Sequence, residues 1–434
     1  MLLFEFANGL LLALFAAAVF DLAAVWRRTG SVRAAFGWLG RTEHPLFGDW
    51  LGPRRQAVAA PLFAAGLALY EANVVFCNSM ARENWPWVQG ALSPVLEWAA
   101  FLCFGAKILL CTRYSWRGLG LAGALYFIAR WVHFNSHNIW FIGIVVAILA
   151  AKDVDLCRAL RAFFAAGAAA MAVVLALHFA GIVAPDLVSE RVGTFRPTFG
   201  YGHPNTFGGL VVGLLLAWVM LRARHLHWMD VAASAAVGVF LWEGPACRTA
   251  ALSAFFLTLL LAAALVRPSV FRGRAVPWLA ALSVAVVGAV SYLLPLGLVK
   301  CGPWNDDFGP AWLARIDGAL TNRLSMTWMA YRLHTIKIAG QVLSDWPALD
   351  NSFAFMLYQF GPVMAALIAA LFAAALWGLF RSGKTVWGCC LLAMLVYSFA
   401  ECQSFHLTTN PTALLLCGAI FAMPLSRWGE APSS

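Results

Sequence analysis

Apolar runs of about twenty residues recur from one end of this chain to the other, the length an α-helix needs to cross the ~30 Å hydrocarbon core of a bilayer. By hydropathy they fall at approximately 3–25, 57–79, 94–111, 118–134, 138–151, 162–184, 206–221, 228–243, 247–266, 277–299, 353–380, 385–401 and 411–426. Inside a bilayer no water satisfies the backbone, so such runs must close their hydrogen bonds internally as helices. The expectation is an all-α polytopic membrane protein of about 13 transmembrane helices, with residues 1–434 forming a single transmembrane domain. Composition agrees, since 62% of the residues are hydrophobic and only 12% charged, with a mean hydropathy of +0.77. The first run, Met1 to Val25, has neither a basic start nor a small-residue cleavage signal and is read as a retained span.

The net charge of +10 points to a membrane surface and not to nucleic acid once its placement is considered. With loops assigned alternately to the two faces, twenty of the thirty lysines and arginines fall on one side, which the positive-inside rule makes cytoplasmic. The N-terminus is then outside and the C-terminus cytoplasmic, in a multi-pass plasma-membrane protein whose first partner is the lipid bilayer. The ten cysteines are scattered and form no pair of CxxC motifs, so neither a disulfide framework nor a metal site is inferred, and no cofactor is expected. His133 and His137 have i, i+4 spacing but no evident third ligand, which suits a satisfied interfacial pair.

Three external segments each set an ionisable residue at the mouth of a span beside turn-forming residues. The first, ERVGTFRPTFGYGHPNTFGG (Glu190 to Gly209), carries Arg191, Arg196 and His203, and Asn205 is placed to cap a helix beginning at Thr206. The second, EGPACRTA, holds Glu243 and Arg248. An arginine at the membrane costs on the order of 2.5–3.5 kcal/mol without a partner, so Arg248 is either functional or paired with Glu243. The third, ALDNSFAFMLYQFGP, opens a span with Asp350, Asn351 and Ser352, either as helix caps or with Asp350 as a general base. A large external loop, residues 300–351, includes helical character from Asn322 to Leu343. There Arg323, Thr327, His334 and Lys337 would share one face, Arg332 adds a further cation, and the helix would lie on the membrane surface, either binding a phosphate or anionic headgroup or simply solvated.

FGYGHPNTFGGLVVGLL (Phe199 to Leu215), CRTAALSAFFLTLLLA (Cys247 to Ala262), NRL (Asn322 to Leu324) and LDNSFAFMLYQFGPV (Leu349 to Val363) resemble, in order and approximate spacing, the O-antigen polymerase and ligase superfamily, especially polysaccharide polymerases of Gram-positive type. The resemblance covers roughly the half of the chain after Ser189. It implies a metal-independent membrane-embedded glycosyltransferase (GT-C-like) that moves a growing glycan from undecaprenyl diphosphate to a lipid-linked repeat unit at the outer face of the membrane, with a flippase and a chain-length regulator as possible partners. Arg248 matches the arginine of a Ser-Arg-Thr type motif, Asn205 a Pro-Asn motif and Arg323 a loop arginine. Cys247 stands where serine is usual, and Asp350-Asn351 replaces the His-Asn of the ligases, which favours a polymerase. By this reading Arg248, Arg196 and Arg323 stabilise the diphosphate leaving group and Asp350 or His203 takes the acceptor proton, with Arg191, Arg332, His334, Lys337, Asn205 and Asn351 as further substrate-binding candidates. The alternatives are a ligase-like transfer to another acceptor, or a flippase or exporter of lipid-linked oligosaccharide, which should show charged or broken-helix positions near the midplane in symmetric halves.

Overall fold

The computed structural model describes residues 19, 23–31, 43–45, 51–183, 196–298, 310–343 and 349–421. The expected first span lies largely outside these residues, as do Arg191 and the opening of the large loop. The chain is an all-α membrane protein. Among the described residues seven helices are long and apolar enough to cross a bilayer: Arg55–Cys77 (α1), Val88–Cys111 around the regular helix Ser93–Ala106 (α2), Leu156–Phe179 (α5), Pro204–His225 around Pro204–Arg222 (α6), Arg248–Val266 (α8), Val276–Leu296 (α9) and Pro362–Arg381 (α13). Between them run Trp116–Ser136 (α3), Ile139–Ala150 (α4), Trp228–Glu243 (α7), Ala311–Ala319 (α10), Arg323–Leu333 (α11), Ser352–Phe355 (α12), Thr385–Ala400 (α14) and Leu416–Phe421 (α15).

Polar side chains at the ends of the apolar runs decide where several helices begin. Ser115, Asn138 and Asp155 accept backbone N–H bonds at the starts of α3, α4 and α5, and His227 and Asp230 close a reciprocal capping box on α7. At α6 the cap is His203, whose Nδ1 accepts from the Asn205 amide at 3.1 Å, so the helix begins at Pro204 and not at Thr206. This corrects the expectation that Asn205 would cap, and it leaves the Asn205 side chain free to bond elsewhere.

α6 is the central pillar, with α8, α14 and α5 packed around it. Its glycines set the closeness of that packing: a Cβ at Gly208 would meet the Cys247 side chain at 2.9 Å. The outward faces of α8 and α9 instead expose Leu252, Leu259, Leu282 and Leu293, the pattern of helices whose solvent is lipid.

Two expected regions differ in shape. Residues 402–410 were expected as an external loop, but Ser404, Leu407, Thr408, Thr409 and Asn410 are buried. The stretch turns inward against the middle of α6, where a Cβ on Gly213 would lie 1.9 Å from the Thr408 carbonyl oxygen. Gly213 is nine residues beyond Pro204, hence about 13 Å down the helix. The unwound stretch is tolerated because it is buried in protein and locally bonded: His406 O accepts from Asn410 N at 2.8 Å, and the Asn410 side-chain amide donates to Ser404 O at 2.9 Å. Similarly, the run 353–380 is not one helix. It breaks at Gly361, φ 84°, between a π-turn over Met356–Phe360 and α13.

That break also explains why the helix expected from Asn322 to Leu343 stops at Leu333. Residues 334–343 pack instead against the Gly361 elbow, with Gln341 N donating to Gln359 O at 3.1 Å. The backbones approach so closely that a Cβ at Gly340 would sit 2.1 Å from Gln359 O and one at Gly361 2.2 Å from Ile338 O. His334 and Lys337 therefore do not share a helix face with Arg323 and Thr327, and both of the latter are buried, not surface-exposed.

Candidate functional site

The external segments singled out in sequence converge at one end of the bundle. The start of α6, the α7–α8 turn, the start of α11, the start of α12 and the end of α14 meet around a cleft of about 100 Å³ lined by Arg196, Asn205, Arg248, Thr249, Arg323 and Phe399, among others.

Beneath the cleft runs a continuous polar network. Arg196 Nη2 donates to Asn205 Oδ1 at 3.0 Å and its Nε to the Pro245 carbonyl at 3.3 Å. Asn205 Nδ2 in turn donates to Glu401 Oε1 at 2.9 Å, and Arg323 Nη2 reaches the same oxygen at 2.5 Å. Arg323 Nη1 donates to Thr249 Oγ1 at 2.6 Å. Its Nε lies 3.3 Å from Asp350 Oδ2, close enough to pair electrostatically but at an angle that makes no hydrogen bond. Burial works against the Arg323 charge, yet Glu401 and Asp350 outweigh it and hold the guanidinium above its ordinary pKa.

Local folding fixes each member. Asp317 in α10 is fully buried and accepts from Leu324 N at 2.8 Å, from Ser325 N at 3.2 Å and from the Ser325 hydroxyl. It thereby caps α11 from outside, after Thr321 and Asn322 turn the chain through left-handed conformations at φ 59° and 63°. Asn351 is the cap of α12, accepting from Phe353 N and Ala354 N, and its amide donates to Phe399 O at 2.6 Å. The capping role considered for Asp350 belongs to Asn351, and Asp350 is left facing Arg323 with about 38% of its side chain exposed. Ser352 Oγ donates to the Glu401 carbonyl at 2.5 Å, tying α12 to the end of α14.

Arg248 differs from the other two arginines. It is exposed at the first position of α8, lines the cleft, and has no hydrogen bond or ion pair among the described residues, Glu243 included. Cys247 beside it is buried, and its thiol lies 2.8 Å from the Pro204 carbonyl. Burial pushes that thiol up to about 12, Arg196 pulling it down and Glu401 raising it further in smaller measure.

Of the residues chosen from sequence, Arg196, Asn205, Arg248, Arg323 and Asp350 are brought together, with His203 and Asn351 at their edge. Arg332 packs over the Trp328 ring at 5.5 Å, His334 and Lys337 lie on the irregular segment beyond α11, and none of the three lines the cleft. Sequence reasoning missed Glu401, Thr249 and Asp317. A signal for Glu401 existed: it is the only acid between Asp350 and Glu430, at the end of a long apolar run. No protein-family model, curated protein or solved structure matches this chain.

Proposed function

We propose that the chain is a polysaccharide polymerase, a membrane glycosyltransferase that transfers a growing glycan from undecaprenyl diphosphate to a lipid-linked repeat unit. The observation that carries this reading is the Arg248 fork, without a partner among the described residues, at the rim of a cleft whose floor holds two more arginines and, beside them, a partly exposed carboxylate. In the reaction an acceptor hydroxyl attacks the anomeric carbon, the bond from that carbon to the diphosphate oxygen breaks, and its electron pair leaves with the diphosphate. Charge therefore grows on the leaving group, where a bidentate guanidinium is well suited to meet it. Asp350, exposed where Glu401 is buried, is the better placed acceptor for the hydroxyl proton.

In this reading the shorter apolar helices and the N-terminal run complete thirteen spans of a GT-C-like architecture. The cleft opens on the outer face of the plasma membrane, and the basic loops face the cytoplasm. Arg196 and Arg323, already held by Asn205, Glu401 and Asp350, shape the site and set its potential, while Arg248 grips the diphosphate.

The test is the length distribution of surface glycan in a deletion strain complemented with wild type, Arg248→Lys or Arg248→Ala. Wild type restores long chains, and both variants lose them, since removing one such donor costs about 10²–10³ in rate and a lysine cannot reproduce the fork. Near-normal chains from Arg248→Lys would remove Arg248 from this role. Full-length glycan accumulating unattached on its lipid carrier in the deletion strain would instead identify a ligase, and trapped single units at the cytoplasmic face a transporter.

A further inference from the structure

One ionisable side chain lies where the sequence pattern calls for an apolar one. Phe63, Leu67, Glu71 and Val74 recur at helical spacing along α1 and all four are buried, so Glu71 falls on the stripe that faces the bundle core. Among the seven spanning helices only α1 and α2 carry an acid, Glu71 and Glu97. Glu97 is partly exposed, whereas Glu71 is 0% exposed. At 1.5 Å per residue Glu71 stands about 24 Å from the Arg55 end of α1 and about 9 Å from the Cys77 end, well inside the helix.

The neighbouring helices leave a socket for this carboxyl. α5 brings Gly167 against it, and a Cβ there would lie 2.6 Å from Glu71 Oε1 and 2.8 Å from the Leu214 side chain of α6. Both carboxyl oxygens are buried with no hydrogen-bond partner, and so is the hydroxyl of Tyr201, a fully buried residue in the segment that leads into α6. Tyr70 and Tyr201 are close enough to feel a charge on Glu71. The cations on the helices packed against α1 are Arg158, Arg161 and His178 of α5 and Lys107 of α2, and none of them bonds to Glu71. Lys107 donates instead to the Lys152 carbonyl. α6 has no ionisable residue between Pro204 and Arg222.

An ionised carboxylate held in this way would lack both water and donors, and burying that charge costs far more than burying the neutral acid. We propose that Glu71 is a proton-binding site inside the bundle, holding a proton at neutral pH, with Tyr201 as the donor that meets the carboxylate when the proton leaves. Tyr201 belongs to the segment that carries Arg196 and His203, and Met80 N, just beyond α1, donates to Gly200 O of that segment at 2.8 Å. Loss of the proton at Glu71 would thus act on a segment that reaches the arginine cleft. The site rests on its own observations and does not depend on what that cleft does.

The full-length protein in lipid nanodiscs is treated at neutral pH with dicyclohexylcarbodiimide, which reacts with protonated carboxyls in apolar surroundings. The acid proton passes to one carbodiimide nitrogen and the carboxyl oxygen bonds to the central carbon. The resulting O-acylisourea rearranges to a stable N-acylurea that retains the whole reagent. Peptide mass spectrometry should find this adduct on Glu71 and lose it in Glu71→Gln, the isostere of the neutral acid. Carboxyls outside the spans should stay unlabelled, because an ordinary glutamate, with a pKa of about 4.3, is ionised at that pH. The infrared C=O band of a protonated carboxyl needs no access for a reagent, and part of it should disappear in Glu71→Gln. Tyr201→Phe removes the donor to the carboxylate and should raise the pH of half-labelling by about one pH unit, a tenfold tighter hold on the proton. The proposal is overturned if Glu71 gives neither adduct nor band. An unchanged midpoint in Tyr201→Phe would overturn the role of Tyr201, and protection of Glu71 by sodium chloride but not by choline chloride would make the site one for a metal cation and overturn the proton assignment.

Discussion

Replacing Glu401 by alanine tests whether the buried network holds the site together. The side chains of Arg323 and Glu401 are about 10% and 6% exposed, and they meet at 2.5 Å. With charge centres roughly 4 Å apart and an effective dielectric of about 20, their attraction is about 4 kcal/mol. Alanine also removes the acceptor of the Asn205 amide, worth about 1 kcal/mol, and leaves Arg323 with Asp350 alone, at 3.3 Å and screened by solvent. Breaking a buried pair from one side costs about 3–5 kcal/mol. Because Asp350 retains part of the attraction, Glu401→Ala should lose about 3 kcal/mol. The assay is reversible unfolding in mixed micelles with increasing denaturing detergent, followed by tryptophan fluorescence. The double replacement Arg323→Met with Glu401→Leu removes both charges and should recover most of that stability while remaining inactive. If Glu401→Ala unfolds within about 1 kcal/mol of wild type, or the double variant is as weak as the single one, the network does not carry this load.

Two further perturbations probe the surroundings of the site. Gly213→Ala sets a methyl group 1.9 Å from the Thr408 carbonyl, which is backbone and cannot swing away. It should destabilise by at least the 1–3 kcal/mol typical of overpacking and open residues 402–410 to proteolysis, and an unchanged cleavage pattern would contradict the buried path of that stretch. Cys247, raised from 9 to about 12 in the folded protein, disfavours the thiolate. The contribution of that raised pKa is therefore fully present below pH 9 and is lost as pH rises from 9 towards 12. Folded protein should resist alkylation at Cys247 at pH 8, read by peptide mass spectrometry, and Cys247→Ser should flatten the alkaline loss of stability. Rapid labelling at pH 8 would mean the thiol is not buried as described.

The membrane helices were legible because apolar length and the residues that stop it are local properties. Arg248, Asn205 and Asp350 stood out for a related reason: each is a polar group set against an apolar run, and such groups must be either satisfied or used. What sequence does not carry is pairing across the bundle. Glu401 lies 78 positions from Arg323 and 196 from Asn205, and no periodicity links residues on three different elements. The inward path of residues 402–410 was missed because serine, threonine and asparagine look like a solvated loop until a glycine on a neighbouring helix provides a place for their backbone. The helix predicted beyond Leu333 failed on a comparable tertiary contact, the Gly340–Gly361 approach, which outweighs local helical pattern.

The pairing also separates the three arginines by what each is available to do. Arg323 faces two carboxylates, Glu401 and Asp350, so the charge it presents to the cleft is offset from behind. Arg196 spends its fork on Asn205 and Pro245. Arg248 alone of the three makes no hydrogen bond or ion pair to any described residue, and a ligand that approaches the cleft gains most from meeting it. An incoming anion would also compete with Asp350 for the Nε edge of Arg323, and in doing so would release that carboxylate to accept a proton. In the proposed transfer, with Asp350 as its base, the same geometry would couple anion binding to activation of that base, and Asp350→Asn should then abolish transfer while leaving binding of a diphosphate lipid intact. Loss of binding and transfer together would place Asp350 in the scaffold and not in the chemistry.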